Sequence, residues 1–264
     1  MEIAAILGVN AAMTAAAFLL LWRVAVVIED ASFVDAWWAA GFVLIAWTTF
    51  MLTGGRGPHA LMLLALTTLW GLRLAIYLFG RWRAHGIDRR YAAMMGKAKR
   101  DKGWSFERAS LLYVFALQAP LQFLVSLPVQ AGMAPETEAF GNLAWAGVAL
   151  WALGFAFESI GDWQLARFKA DEANAGKVMD RGLWRYTRHP NYFGDACVWW
   201  GLYLIAADAG VPLWALSGPI AMTLLLAFWS GAPTIEGHLK RTKPDYAAYV
   251  ARTSAFIPWP PKTR

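Results

Sequence analysis

The sequence predicts an all-α integral membrane protein of seven transmembrane helices, with its N-terminus outside and its C-terminus in the cytoplasm. Three observations carry that prediction. Hydrophobic residues make up 58% of the chain and charged residues only 16%, whereas ordinary soluble domains are about a quarter charged. The apolar residues gather into runs near the ~20 residues that a helix needs to cross hydrocarbon. Lysine and arginine concentrate in alternate connections between those runs.

The runs cover residues 3–28, 33–52, 60–80, 109–131, 141–166, 192–209 and 212–230. The first opens MEIAAILGVN, without the basic segment of a cleavable signal peptide. The last two are short and separated only by AADAGVP, so they read as a tight helical hairpin. No apolar/polar alternation is long enough for a barrel strand, and helices satisfy their own backbone in lipid. The third connection, RWRAHGIDRRYAAMMGKAKRDK, carries eight Lys/Arg, and the fourth, AGMAPETEAF, carries none. The fifth connection and the tail after Gly231 are basic again. Alternation places the basic connections in the cytoplasm, in a bacterial inner membrane on this reading. The first connection, with Glu29 and Asp30, is acidic on that same side, and Arg23 can snorkel toward it. With no internal repeat or low-complexity linker, residues 1–264 form one transmembrane domain.

The net charge of +6 follows from the positive-inside bias, and no recognition motif for nucleic acid accompanies it. The single cysteine, Cys197, lies in an apolar run, so neither a disulfide framework nor a cysteine metal site is expected. His59 and His85 fall in connections and read as surface residues. No HExxH or comparable cluster appears, so no metal is expected. Sixteen tryptophans suit a membrane interface. Phosphate-binding loops of the GxGxxG and GxxxxGK[ST] kinds are absent, so a nucleotide would have to sit between transmembrane helices.

Three places carry ionisable groups that crossing a membrane does not require, and such groups are functional suspects. In the fifth helix Glu158, Asp162, Leu165 and Lys169 share one helical face, as an interfacial ladder or as acceptors for ribose and amide groups with cations for phosphate. In RGLWRYTRHPNYFGD, Arg181, Arg185 and Arg188 recur at spacings of four and three. Pro190 then opens the sixth helix, followed by Asn191, Tyr192 and Asp195. Guanidinium forks beside a helix N-terminus fit a phosphate-bearing ligand. Near the front, Glu29, Asp30 and Asp35 flank the second helix, and Arg73 and Tyr77 lie four apart in the third. Asp35 and Arg73 read either as a structural ion pair or as part of a proton-donating site.

The runs GLWRYTRHPNYFGDACVWWGLYL, ESIGDWQLARFK and ARTSAFIPWPP resemble the membrane-bound steroid 5-alpha-reductase family, nearest its bacterial branch. The resemblance extends from about Glu29 to the C-terminus. It implies NADPH held in the cytoplasmic half of the bundle, with Asp162, Lys169, Arg185, Asn191 and Asp195 at cofactor-binding positions. Arg81, Arg83, Glu236 and His238 are looser candidates, and Glu158, Arg167, Tyr186, Arg188, His189 and Tyr192 complete the cofactor set. It implies a proton-donating end among Glu29, Asp35, Trp70 and Tyr77. The expected reaction is NADPH-dependent reduction of the C=C bond of an apolar enone, such as a 3-oxo-4-ene steroid to its 5-alpha-reduced product, reached from the bilayer. The alternative is an S-adenosylmethionine-dependent membrane methyltransferase of the isoprenylcysteine or phospholipid type, which shares the Arg-His-Pro-x-Tyr core. That group carries paired glutamates after its last span, where this chain has Glu236 alone. A non-catalytic sterol- or lipid-binding protein is the third reading.

Overall fold

Helices supply all the regular structure among the described residues, which are 2–229 and 231–262 of a computed structural model, with the His238 side chain excepted. They are α1 (Ile3–Ile28), α2 (Val34–Thr53), α3 (Pro58–His85), α4 (Arg89–Lys102), α5 (Phe106–Ser110), α6 (Ala116–Val125) and α7 (Leu127–Gly132). Then come α8 (Asn142–Ala170), α9 (Pro190–Asp208), α10 (Ser217–Leu224), α11 (Ala232–Thr242) and α12 (Tyr246–Arg252). Six helical stretches among the described residues are long and apolar enough to cross a membrane: α1, α2, α3, Phe106–Gly132, α8 and Leu213–Thr242. The chain is thus built as a membrane protein. The expected seventh crossing, α9, is 19 residues long and is not among those six stretches; Asn191, Asp195 and Asp208 all lower its apolarity.

Two expectations are corrected. The third connection is not a loop but holds the fourteen-residue helix α4. Asp88 caps it by accepting from the Arg90 N–H, and Tyr91 and Ala98, seven apart, are buried on one face. The last expected run is not one uniform helix either: it passes from a 3-10 turn at Leu213–Leu216 through α10 to a π turn at Leu225–Trp229.

The described chain divides into two compact units. One comprises the chain up to Gly141 with Ala206–Ser217; the other comprises Asn142–Ile205 and the chain from Gly218 onward.

In the first unit α1 buries Ile6, Asn10, Thr14, Phe18 and Ala25, a stripe one residue wide. Its polar member, Asn10, is fully buried and donates to Thr49 Oγ1 of α2 and Gln130 Oε1 of α7, each at 2.8 Å. Gln130 donates onward to Ser126. Such bonds tie helices together where lipid offers no hydrophobic drive. The helices α2 and α3 approach closely at Gly71, where a Cβ would stand 2.5 Å from Val43 Cγ2. Phe18, Val34, Tyr91, Val114 and Phe115 form a core on which Met94 and Met95 of α4 pack.

In the second unit glycines set the distance between α8 and α9. A Cβ on Gly147 would lie 2.7 Å from the Gly201 carbonyl, and one on Gly154 would lie 2.4 Å from that of Gly194. Two turns nearer the basic end, Gly161 faces Pro190. Three glycines spaced by seven residues thus bring two backbones into contact, as small residues do in membrane helix pairs.

Candidate functional site

The glycine contact between α8 and α9 decides which polar groups meet. Glu158 and Asp162 of α8 are buried, at 3% and 4% exposure. Asn191, in the first turn of α9, donates its amide to Asp162 Oδ1 at 3.1 Å. Its own Oδ1 is buried and finds no donor among the described residues. Asp195, one turn further on, is also buried. A Cβ on Gly194 would stand 2.9 Å from that of Glu158, so the two carboxylate-bearing helices touch at that level.

The segment before α9 does not continue the arginine phase as a helix. It makes a short 3-10 turn, Gly182–Arg185, and the three arginines part company. Arg181 and Arg185 are exposed, whereas Arg188 turns inward. Its Nε donates to Glu236 Oε1 at 2.8 Å and its Nη1 to the Thr253 carbonyl at 2.9 Å. His189, 3% exposed, meets the same Glu236 oxygen at 3.0 Å and stacks on Tyr192, the ring centroids 5.4 Å apart. Glu236 on α11 therefore joins a guanidinium and an imidazole that adjoin the start of α9.

The C-terminal segment clasps this loop. Thr187 pairs with Ser254 in an isolated parallel bridge, Arg188 N–H donates to the Ser254 carbonyl, and Thr187 Oγ1 donates to the Phe256 carbonyl. Trp259 N–H reaches the Tyr186 carbonyl, Tyr249 hydroxyl reaches that of Trp184, and Arg252 pairs with Asp180. Trp184 Nε1 donates to the Gly161 carbonyl at 3.0 Å. Burial, and next the charge of Glu236, push the Tyr246 phenol up to about 12.

Of the remaining cofactor candidates in this unit, Tyr186, Arg167 and Lys169 are exposed, and Arg167 lies over the Trp163 ring. The His238 side chain lies outside the described residues.

The front-end candidates belong to the first unit, and the structure sorts them differently from the sequence. Asp35 is held by Arg90 at 2.9 Å and Arg81 at 3.5 Å, and it accepts from the Tyr91 hydroxyl at 2.6 Å. The expected Asp35–Arg73 pair is corrected accordingly: Arg73 lies over the Tyr77 ring, 5.7 Å from its centroid. Arg73 precedes Arg81 by eight residues, about 12 Å along a helix, so it stands well below the level where Asp35 opens α2. Glu29 is exposed and takes a left-handed conformation at the end of α1, φ 52°. Its neighbour Asp30 is the buried carboxylate, accepting from Ser32 and from Trp82 Nε1 at 2.7 Å. Trp70 is fully buried against Phe42. Arg83 is exposed. His59, read as a surface residue, is buried.

Sequence reasoning missed Arg90 and Tyr91, and it named Asp30 among the front-end carboxylates without choosing it over Glu29. Tyr91 lies in a segment read as a charged loop, and only its spacing to Ala98 and the methionines marks it as inward-facing. Burial, then the charge and hydrogen bond of Asp35, hold the Tyr91 phenol well above its usual range. Burial acts to raise Asp88, but the Arg90 hydrogen bond and charge outweigh it, and the carboxyl sits below its usual value.

Comparison with known proteins corrects the family drawn from the motifs. The model of a family described as "Protein of unknown function (DUF1295)" matches residues 21–253. That family is distinct from the steroid 5-alpha-reductases, though its members are related membrane proteins. An uncharacterized protein of Schizosaccharomyces pombe is 26% identical over 267 residues, covering 90% of this chain and 75% of its own length. No solved structure matches. The match over nearly the whole chain makes it a member of the DUF1295 family.

Proposed function

We propose that this protein binds NADPH and reduces the C=C bond of an apolar enone, such as a 3-oxo-4-ene steroid. The observation that carries the reading is Asn191. Its amide is fixed by Asp162, and its Oδ1 is a buried acceptor without a donor among the described residues. Buried acceptors are nearly always satisfied, and a ribose hydroxyl or a carboxamide N–H is a donor of the right kind. Bound NADPH supplies the hydride for such a reduction. On the protein side Asp162 and Asn191 orient the polar groups of the cofactor, and the exposed Arg185, Arg167 and Lys169 offer cations to its phosphates. The Arg188–Glu236–His189 cluster holds the loop before α9 in place.

An enolate needs a hydrogen-bond donor already positioned for its oxygen. Tyr91 of the first unit is not that donor, since its one hydroxyl proton is already given to Asp35. The same reading counts α9 as a seventh crossing, since 19 residues span about 28 Å at 1.5 Å each, close to the ~30 Å hydrocarbon core. It puts the basic connections in the cytoplasm and the N-terminus outside.

The test is binding by the purified full chain. NADPH should raise its thermal stability and S-adenosylmethionine should not. Stabilisation by S-adenosylmethionine alone would transfer the protein to the methyltransferase reading.

A further inference from the structure

The helix α4 and the start of α5 carry several cations that no acidic side chain among the described residues pairs with. Among the described residues Arg89, Lys97, Lys99, Arg100, Lys102 and Arg108 make no ion pair, whereas Arg90 is taken up by Asp35 and Asp88. The opposite face of α4 is used: Tyr91 and Ala98 are buried, and Met94 and Met95 pack on the core of the first unit. The helix is therefore amphipathic, with its apolar side docked and its basic side outward. It also joins the end of α3 to the start of the stretch Phe106–Gly132, and both are apolar enough to cross a membrane. A connection between two such helices lies at the membrane surface.

One point on this face is more than scattered charge. Lys102 Nζ lies 4.5 Å from the Trp104 ring centroid and 5.3 Å from that of Tyr113. The Arg108 guanidinium lies 4.7 Å from the same indole. Trp104 and Tyr113 are themselves 5.3 Å apart. Two like charges gathered on one aromatic platform repel, and a shared anion would remove that repulsion. Indole and phenol rings favour the headgroup level, where the available anion is a lipid phosphodiester.

We propose that Lys102, Trp104 and Arg108, with the outward face of α4, bind the phosphodiester headgroup of an anionic phospholipid. The inference does not depend on the nucleotide reading. The full chain, purified in neutral detergent, is examined by native mass spectrometry with phosphatidylglycerol, phosphatidylcholine or glycerol phosphate added. Phosphatidylglycerol should be retained in preference to the other two. Lys102→Gln with Arg108→Gln should weaken that retention roughly thirtyfold, given about a fivefold effect per cation near a charged surface. Lys240→Gln with Lys243→Gln, in the last turn of α11 and just beyond it, should leave it unchanged. Equal retention of both lipids, an unaffected double variant, or an equal loss in the control pair would overturn the proposal. Glycerol phosphate binding as well as the lipid would overturn it too, as a site for a soluble anion. Should the double variant lose helicity, rising salt on the wild type decides: phosphatidylglycerol retention must fall, and insensitivity to salt refutes the site.

Discussion

His59 Nε2 lies 2.8 Å from Asp208 Oδ2, and its Nδ1 lies 2.8 Å from Thr137 Oγ1. The imidazole is 1% exposed and Phe140 meets it edge-on. Asp208 also accepts from the Gly141 N–H at 2.7 Å. One ring thereby ties the first turn of α3 to the connection before α8 and to the last residue of α9. Replacing His59 with leucine leaves Asp208 and Thr137 without that partner. The expected loss is about 1–3 kcal/mol in a denaturant titration, with nucleotide binding by the folded fraction unaltered.

The α8–α9 contact makes a sharp steric prediction. A side chain at Gly154 meets the Gly194 carbonyl at 2.4 Å, and this is backbone that cannot rotate away. Gly154→Val should destabilise by about 1–3 kcal/mol or more. Gly8→Ala is the contrast, because a Cβ there meets nothing within 4 Å. In a helix interior that change should stabilise by up to about 1 kcal/mol. Thermal unfolding of the two variants separates the effects.

Nucleotide affinity should respond to Arg185 more than folding does. The side chain is exposed and makes no ion pair among the described residues. Arg185→Ala should weaken NADPH binding by about tenfold or more, the size of one charge-assisted hydrogen bond, at unchanged folded yield. Parallel loss of yield and binding would assign the residue to the fold. Glu236→Gln should behave in the opposite way, because Arg188 and His189 lose their shared carboxylate. Its cost, about 3–5 kcal/mol if the pair behaves as a buried one, should appear first in stability.

Alkaline pH should loosen α4. An unfolded Tyr91 gives up its proton near its ordinary value of 10.0, while the folded residue keeps it well above that. The stabilisation is whole below pH 10 and drains away as pH rises toward the folded value. Tyr91→Phe should flatten this dependence in hydrogen exchange of α4. At the acidic end the sign reverses at Asp88. Its lowered carboxyl favours folding above 3.8, and that contribution is lost as pH falls through the folded value.

The long helices were legible because their apolar runs leave no other solution in lipid. α1 and α2 begin and end within a residue of the boundaries expected from composition. Asp162 and Asn191 were both singled out in the sequence, but the hydrogen bond between them was not legible, because 29 residues separate the two. Tyr91 was not, because its helix is amphipathic and basic, and periodicity there competes with a charge count that reads as a loop. Nor was His59. Its proline-preceded position resembles any connection, and the partner that buries it, Asp208, lies 149 residues away. Pairings of that range leave no local trace.

The clasp over the loop before α9 bears on the order in which the molecule can be assembled. Thr187 is bonded to a carbonyl 69 positions later, and Arg188 to one 65 positions later. While a ribosome is still adding that stretch, the loop has been made but its fastening has not. Any precursor cut short before Glu236 carries α8 and α9 paired, yet has none of the later fastenings on the basic turn between them.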